Sequence, residues 1–290
     1  MGYWVEIERS ETAEPFSFSD LIEGYGYGFG VYDDNRRLQY EQTGDETIVY
    51  DPQSIGRGVT VTIEDEGVLL QLPLPATRSD VEVFWSLIDR AMTLTKASDF
   101  TWDEDTYHAC DVPSLRNDLL VASKGIFENT FQDDSIMGNE TLMIFGACFP
   151  VALRPEELKA MGSNWELYGE RLHAIQNRDV FYAAPLLMSK RNDEGEEVEI
   201  VGIYVLTSDL DTALPFLPRS GVFNPEIEVD RWLIGFVDQD NVEKGPLGLI
   251  PYEDFLRLVN KDDQLDASRF VVCLSLKELL PLLDEFETEL

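Results

Sequence analysis

Val59-Thr60-Val61-Thr62-Ile63 and Val68-Leu69-Leu70-Gln71-Leu72 bracket the turn Glu64-Asp65-Glu66-Gly67. Two short apolar runs around a glycine-ended acidic turn read as a β-hairpin over 59–72, closed by Pro73 and Pro75. Ser79-Asp80-Val81-Glu82 then has capping-box spacing, and Val81, Phe84, Trp85, Ile88, Ala91 and Met92 recur at helical intervals. The spacing predicts a core helix over 79–97 packed across the hairpin, which sets the class as α+β.

Outward from this unit, Tyr3 to Glu8 alternates apolar and polar residues as a half-buried strand does. In Gly24-Tyr25-Gly26-Tyr27-Gly28-Phe29-Gly30, a period of two puts Tyr25, Tyr27, Phe29 and Val31 on one face and only glycine on the other. Bare backbone of this kind favours close packing or a bulge over a ligand site. The GxGxxG and GxxxxGK[ST] spacings of phosphate loops are missing.

Residues 98 to 140 are less regular, with acidic patches at Asp103-Glu104-Asp105 and Asp133-Asp134 around Leu119-Leu120-Val121. Thr141 to Phe149 reads as a buried strand closed by Pro150, followed by helices from Pro155 to Met161 and from Trp165 to Ile175. Val180 to Met188 and Val198 to Leu206 flank the acidic turn Asp193 to Glu196 as a second hairpin. Ser208 and Asp211 cap an expected short helix ending near Pro215. Arg231 to Val237 and Leu247 to Ile250 flank another turn, and Pro251 opens a helix over Tyr252 to Val259. After a strand at Phe270 to Leu274, Ser275-Leu276-Lys277-Glu278 is a capping box for a terminal helix that Pro281 should kink or break.

The expected organisation is an N-terminal α+β layer over 1–100, an irregular and helical connecting region over 101–179, and a C-terminal α+β layer over 180–290. Antiparallel hairpins each followed by a packing helix leave open both a duplication into two similar halves and a single compact unit.

Charge narrows the function classes. Against 22 Lys+Arg stand 56 Asp+Glu, a formal net charge of -34. Nucleic acid and anionic membrane are excluded as expected partners because they require a basic footprint, whereas a basic protein or a metal cation would be attracted. A solvated acidic surface that keeps the protein soluble is the plainer reading. The start of the chain shows no basic and apolar leader, Glu6 stands where a myristoylation motif wants Ser or Thr, and no apolar run reaches the roughly 20 residues of a membrane span. Cys110, Cys148 and Cys273 lie in no CxxC pair, and Cys148 and Cys273 sit in apolar runs that predict burial. A cytoplasmic protein is expected.

Catalytic and metal signatures are weak throughout. His108 and His173 have no zinc-ligand spacing, and the Asp105-x-x-His108-x-Cys110-Asp111 stretch lacks a second ligand pair. No GxSxG elbow occurs, and Asp238-Gln239-Asp240-Asn241 departs from a calcium loop at the sixth position, so it reads as a hairpin turn. Arg57, Arg171, Arg178 and Arg231 are expected to form internal ion pairs in so acidic a chain. No cofactor or metal is expected.

Three blocks carry a resemblance: Leu167-Tyr168-Gly169-Glu170-Arg171-Leu172-His173-Ala174-Ile175-Gln176, Asp179-Val180-Phe181-Tyr182-Ala183-Ala184-Pro185, and Gly202-Ile203-Tyr204-Val205-Leu206-Thr207. With Gly56-Arg57-Gly58 and Phe84-Trp85, the chain resembles an uncharacterised domain-of-unknown-function family of Gram-positive bacterial proteins of about this length. The resemblance implies a bacterial cytosolic protein and carries over no catalytic residue.

The leading expectation is a non-enzymatic acidic binding module, immunity-like or regulatory, whose partner is a basic protein. One alternative is an enzyme of unfamiliar type with a site near Tyr168, Arg171, His173 and Arg178, which cluster in sequence. The other is a structural homo-oligomer; the sequence leaves oligomeric state open.

Overall fold

The computed structural model describes residues 2–103, 105–132, 141–191, 197–219 and 227–286. The turn at 193–196, the Asp133-Asp134 patch and Glu104 lie outside them. The chain divides into two compact units, Met1–Asn177 and Arg178–Leu290. The connecting region expected over 101–179 therefore falls almost wholly within the first unit.

In the first unit the elements run β1 (Gly2–Glu8), α1 (Phe18–Ile22), β2 (Gly28–Tyr32), β3 (Leu38–Tyr40), β4 (Thr47–Tyr50), β5 (Val59–Ile63), β6 (Gly67–Pro73) and α2 (Arg78–Thr95). Then follow β7 (Asp99–Trp102), β8 (Asp105–His108), α3 (Val112–Gln132), β9 (Leu142–Phe145), β10 (Pro150–Leu153), α4 (Pro155–Met161) and α5 (Trp165–Gln176). Eight strands form one antiparallel sheet in the order β3-β2-β4-β5-β6-β1-β7-β8. The β5–β6 hairpin has the expected register, Val61 opposite Leu70 and Ile63 opposite Val68.

That register stacks Val5, Leu70 and Val61 on one face. Helix α2 covers it with Val81, Phe84, Trp85, Leu87, Ile88, Ala91 and Met92, all buried in one core. Each large side chain withdrawn from water contributes about 1.5–3 kcal/mol, which makes this layer the stable centre of the unit. The helix starts two residues earlier than its sequence spacing predicts. Thr77 is the N-cap and Asp80 the reciprocal capping residue, not Ser79 and Glu82.

The glycine-rich segment divides into two behaviours. Gly24 and Gly26 have φ of +85° and +70° with open space where a Cβ would be, so they shape a turn. Gly28 and Gly30 lie in β2, where a Cβ would strike the Tyr50 ring and the Gln39 carbonyl respectively. Close packing is thus what the bare face of the strand provides.

Three further differences have local causes. Pro150 begins β10 instead of ending a long strand, since residues 146–149 turn the chain between β9 and β10. Residues 112–132 form one helix whose apolar periodicity is too weak to announce it; Pro113 sits in its first turn, where a missing N–H costs nothing. Cys148 is buried as expected, but Cys273 is exposed because β17 (below) stops at Val272.

The second unit contains β11 (Phe181–Tyr182), β12 (Leu186–Arg191), β13 (Glu197–Thr207), β14 (Thr212–Pro215), β15 (Arg231–Val237), β16 (Gly248–Pro251), α6 (Tyr252–Leu258), β17 (Arg269–Val272) and α7 (Leu276–Phe286). One sheet has the order β12-β13-β15-β16 and the other β11-β14-β17. Pairing is antiparallel except for β13 with β15 and β11 with β14. Tyr204, Leu206, Ile234, Phe236, Tyr252, Phe255 and Phe270 fill the core with Leu279 and Leu283 of α7.

Ser208 and Asp211 open no helix. Asp209 turns the chain at φ +58° and Thr212–Pro215 become β14, buried along its whole length and paired with β17. Tertiary pairing overrides the local capping signal there. Half of the terminal capping box forms, Ser275 donating N–H and Oγ–H to Glu278 at 2.8 and 2.6 Å, while the Glu278 N–H goes to the Ser275 carbonyl. Helix α7 continues through Pro281 to Phe286. The hairpin-then-helix step occurs in both units, but their sheet orders differ.

Candidate functional site

Helix α5 positions three of the four residues singled out by sequence. Its buried stripe of Trp165, Tyr168, Leu172, Ile175 and Gln176 follows helical spacing, so the polar atoms on that stripe must find partners inside the unit. Trp165 Nε1 donates to the Ala76 carbonyl at 2.8 Å, and Tyr168 Oη donates to the Pro75 carbonyl at 3.3 Å. Burial pushes the Tyr168 hydroxyl well above the ordinary tyrosine range, which keeps it a neutral donor.

One turn along, His173 Nδ1 accepts the Ile55 backbone N–H at 3.0 Å. An accepting Nδ1 presents its lone pair to that N–H, which leaves Nε2 as the ring's other polar atom. Gln176 accepts the Cys148 N–H at 2.9 Å and donates to the Gly56 carbonyl at 2.8 Å. Arg171 pairs with Glu157 at 2.9 Å, while the other Glu157 oxygen accepts the Arg154 N–H that begins α4. Helix α5 therefore fastens the loops at 55–56, 75–76 and 148, together with α4.

At the centre of these loops is a residue that sequence reading treated only as a helix-start signal. The Asp80 carboxylate, 2% exposed, accepts the backbone N–H groups of Arg57, Gly58 and Thr77 and the Thr77 hydroxyl. Burial pushes its carboxyl upward, and the donors from Arg57, Thr77 and Gly58 oppose that shift. The Arg57 side chain donates to the Phe145 carbonyl at 3.1 Å and to the Leu74 carbonyl. A Cβ on Gly56 would meet the Asp80 carboxylate and Thr77 Oγ1. The Gly56-Arg57-Gly58 triplet in the sequence is the signal for this hub: small residues let the chain wrap a carboxylate whose own position marks the helix start.

Arg178 begins the second unit and forms a two-pronged pair with Asp263, at 2.9 and 2.8 Å. Arg231 pairs with Glu199 at 3.1 Å. Of the four arginines expected in internal ion pairs, three have them and Arg57 bonds to carbonyls instead. Among the described residues, no three His, Cys, Asp or Glu side chains are arranged to hold a metal ion. The Asp238 carboxylate caps its own turn, accepting from Asp240 N at 3.0 Å and Asn241 Nδ2 at 2.7 Å.

Chemically, Tyr168, Arg171, His173 and Arg178 are each held by a protein partner, and three of those partners hold loops or a helix in place. The bonds of Tyr168, Arg171 and His173 thereby tie α5 to the Pro75 carbonyl, α4 and the Ile55 N–H.

A family model described as a domain of unknown function, DUF4299, matches residues 4–282. No curated protein and no solved structure matches the chain. The match spans nearly the whole sequence and includes every block on which the resemblance rests. The chain belongs to the DUF4299 family of domains of unknown function.

Proposed function

We propose that the protein is a non-enzymatic acidic binding module, immunity-like or regulatory, whose partner is a basic protein in the cytoplasm of a Gram-positive bacterium. The observation that carries this reading is the contrast between inside and outside. Tyr168, Arg171, His173 and Arg178 are each bonded to a partner in the chain itself, while carboxylates exceed cations by 34. A field of that size draws a basic partner from a distance and accelerates encounter, with strong dependence on salt. Three free cysteines fit a reducing compartment. No helix among the described residues is long and apolar enough to cross a membrane.

Affinity capture with the full-length protein from its own lysate, at low and high salt, tests the reading. One basic protein retained at low salt and released at high salt supports it. A blank at low salt overturns it and returns weight to the enzyme and homo-oligomer alternatives.

A further inference from the structure

Strand β1 alternates strictly, with Val5 and Ile7 fully buried and Trp4, Glu6 and Glu8 pointing to the other face. Register carries that outer face across the sheet: Trp4 opposes Gln71, which opposes Thr60, and Glu6 lies between Leu69 and Thr101. Further along the sheet, the outer side is covered from within the unit. There Tyr32 Oη donates to the Gly146 carbonyl at 2.9 Å, and Leu38 N donates to the Cys148 carbonyl at 2.8 Å. Among the described residues no comparable hydrogen-bonded cover reaches Trp4, which is 47% exposed on an interior strand of the sheet. A solvated sheet face is normally polar, and Trp4 presents a half-exposed indole on this one beside Gln71 and Thr60.

Beside it, at the turn end of the same strands, is a cavity of ≈ 220 Å³ lined by Glu6, Glu8, Glu64 and Glu66 with Leu69 as part of its wall. None of these four carboxylates forms an ion pair among the described residues. Arg9 is the adjacent cation in sequence, and its backbone N–H donates to the Glu66 carbonyl at 2.6 Å.

We infer that the outer face of β5, β6, β1 and β7 is the docking surface for a lysine- and arginine-bearing segment of the partner protein, an inference that rests on the binding-module reading. Charge complementarity selects the occupant. Guanidinium or ammonium groups enter the glutamate-lined cavity, and an arginine lies over the Trp4 ring, the aromatic side chain best suited to a cation. Tryptophan and arginine are also the side chains that dominate interface energetics. A second copy of this chain docked by the same face would oppose glutamate to glutamate, which disfavours self-association there.

The test uses fluorescently labelled hexa-arginine and hexa-lysine peptides titrated with the full-length protein at low salt, with a glycine-serine peptide as control. Because any polycation is drawn to so acidic a chain, two charge-matched variants are compared: Glu6→Gln/Glu8→Gln/Glu66→Gln at the face, and Glu243→Gln/Asp284→Asn/Glu285→Gln in the second unit. The face variant is expected to weaken hexa-arginine binding about tenfold, and Trp4→Ala to do the same with a smaller effect on hexa-lysine. The second-unit variant should change it less than about threefold. Equal loss in both triple variants, or unchanged binding by Trp4→Ala, would overturn the assignment of this face. Circular dichroism and urea midpoints confirm that each variant folds. Capture from lysate separates the two claims: a basic partner still retained by Trp4→Ala and by the face variant sinks this surface while the binding-module reading stands.

Discussion

Asp80 Oδ1 accepts the Gly58 backbone N–H at 2.8 Å, so the first turn of α2 and the loop before β5 are held by one buried carboxylate. The same group serves Arg57 N and Thr77 N. Asp80→Ala leaves those donors buried without an acceptor and should lower unfolding stability by about 3 kcal/mol or more. Urea denaturation measures it, and a loss under about 1 kcal/mol would show that the hub is dispensable.

Two glycines of one segment should respond differently to alanine. At Gly28 the added methyl strikes the Tyr50 ring, whereas at Gly26 it enters open space but must adopt φ +70°. Gly28→Ala is expected to cost about 1–3 kcal/mol through overpacking. Gly26→Ala is expected to cost about 1 kcal/mol through backbone strain. The order of the two thermal midpoints checks this.

Thiol reactivity should rank the cysteines by surroundings. Burial pushes the Cys148 thiol up to about 11, and burial together with Asp211, Asp209 and Glu278 pushes Cys273 upward as well. Because the thiolate is the nucleophile, iodoacetamide near pH 8 should label exposed Cys110 first, Cys273 more slowly and Cys148 only after unfolding. Timed labelling read by peptide mass spectrometry tests the order; early modification of Cys148 contradicts it.

Arg178, by direct hydrogen bonding, holds the Asp263 carboxyl below its ordinary range. A carboxyl depressed in the folded state contributes stability above its unfolded value of about 3.9, and that stability is lost as pH falls through the lower folded value. Arg178→Gln should raise the Asp263 midpoint toward the unfolded value, as read by carboxyl carbon shifts in an NMR titration. An unmoved midpoint would show that the pair does not exist in solution.

Substitutions in α5 separate structure from chemistry. His173→Ala removes the acceptor for Ile55 N–H, and Tyr168→Phe removes the donor to the Pro75 carbonyl. Each should lower stability by about 1 kcal/mol while leaving capture of a basic partner at wild-type level. Loss of the partner with stability intact would instead place these residues in the functional surface.

Local grammar was readable wherever one face of an element is apolar: the 59–72 hairpin and the stripe from Val81 to Met92 both form, and Glu278 reaches back to Ser275. It failed where distant pairing decides. Thr212 to Pro215 became a strand because Phe270 and Val272 pair with it, and no local signal encodes that partner. The helix start moved from Ser79 to Thr77 because Asp80 answers to a loop some twenty residues earlier. Tyr168, Arg171 and His173 were visible as a cluster of chemistry-bearing residues, but their partners, a proline carbonyl, a glutamate and an isoleucine N–H, come from remote segments. The outward Trp4 follows from β1 alternation, whereas the cover that Gly146 and Cys148 give Tyr32 and Leu38 has no local signal.

The binding-module claim is met most directly by affinity capture from the native lysate at about 50 mM and about 500 mM salt, a range over which screening shortens from beyond 10 Å to a few ångströms. A single basic protein is expected to be retained in the first condition and lost in the second. A clean blank in the first, or a partner equally retained in both, contradicts it.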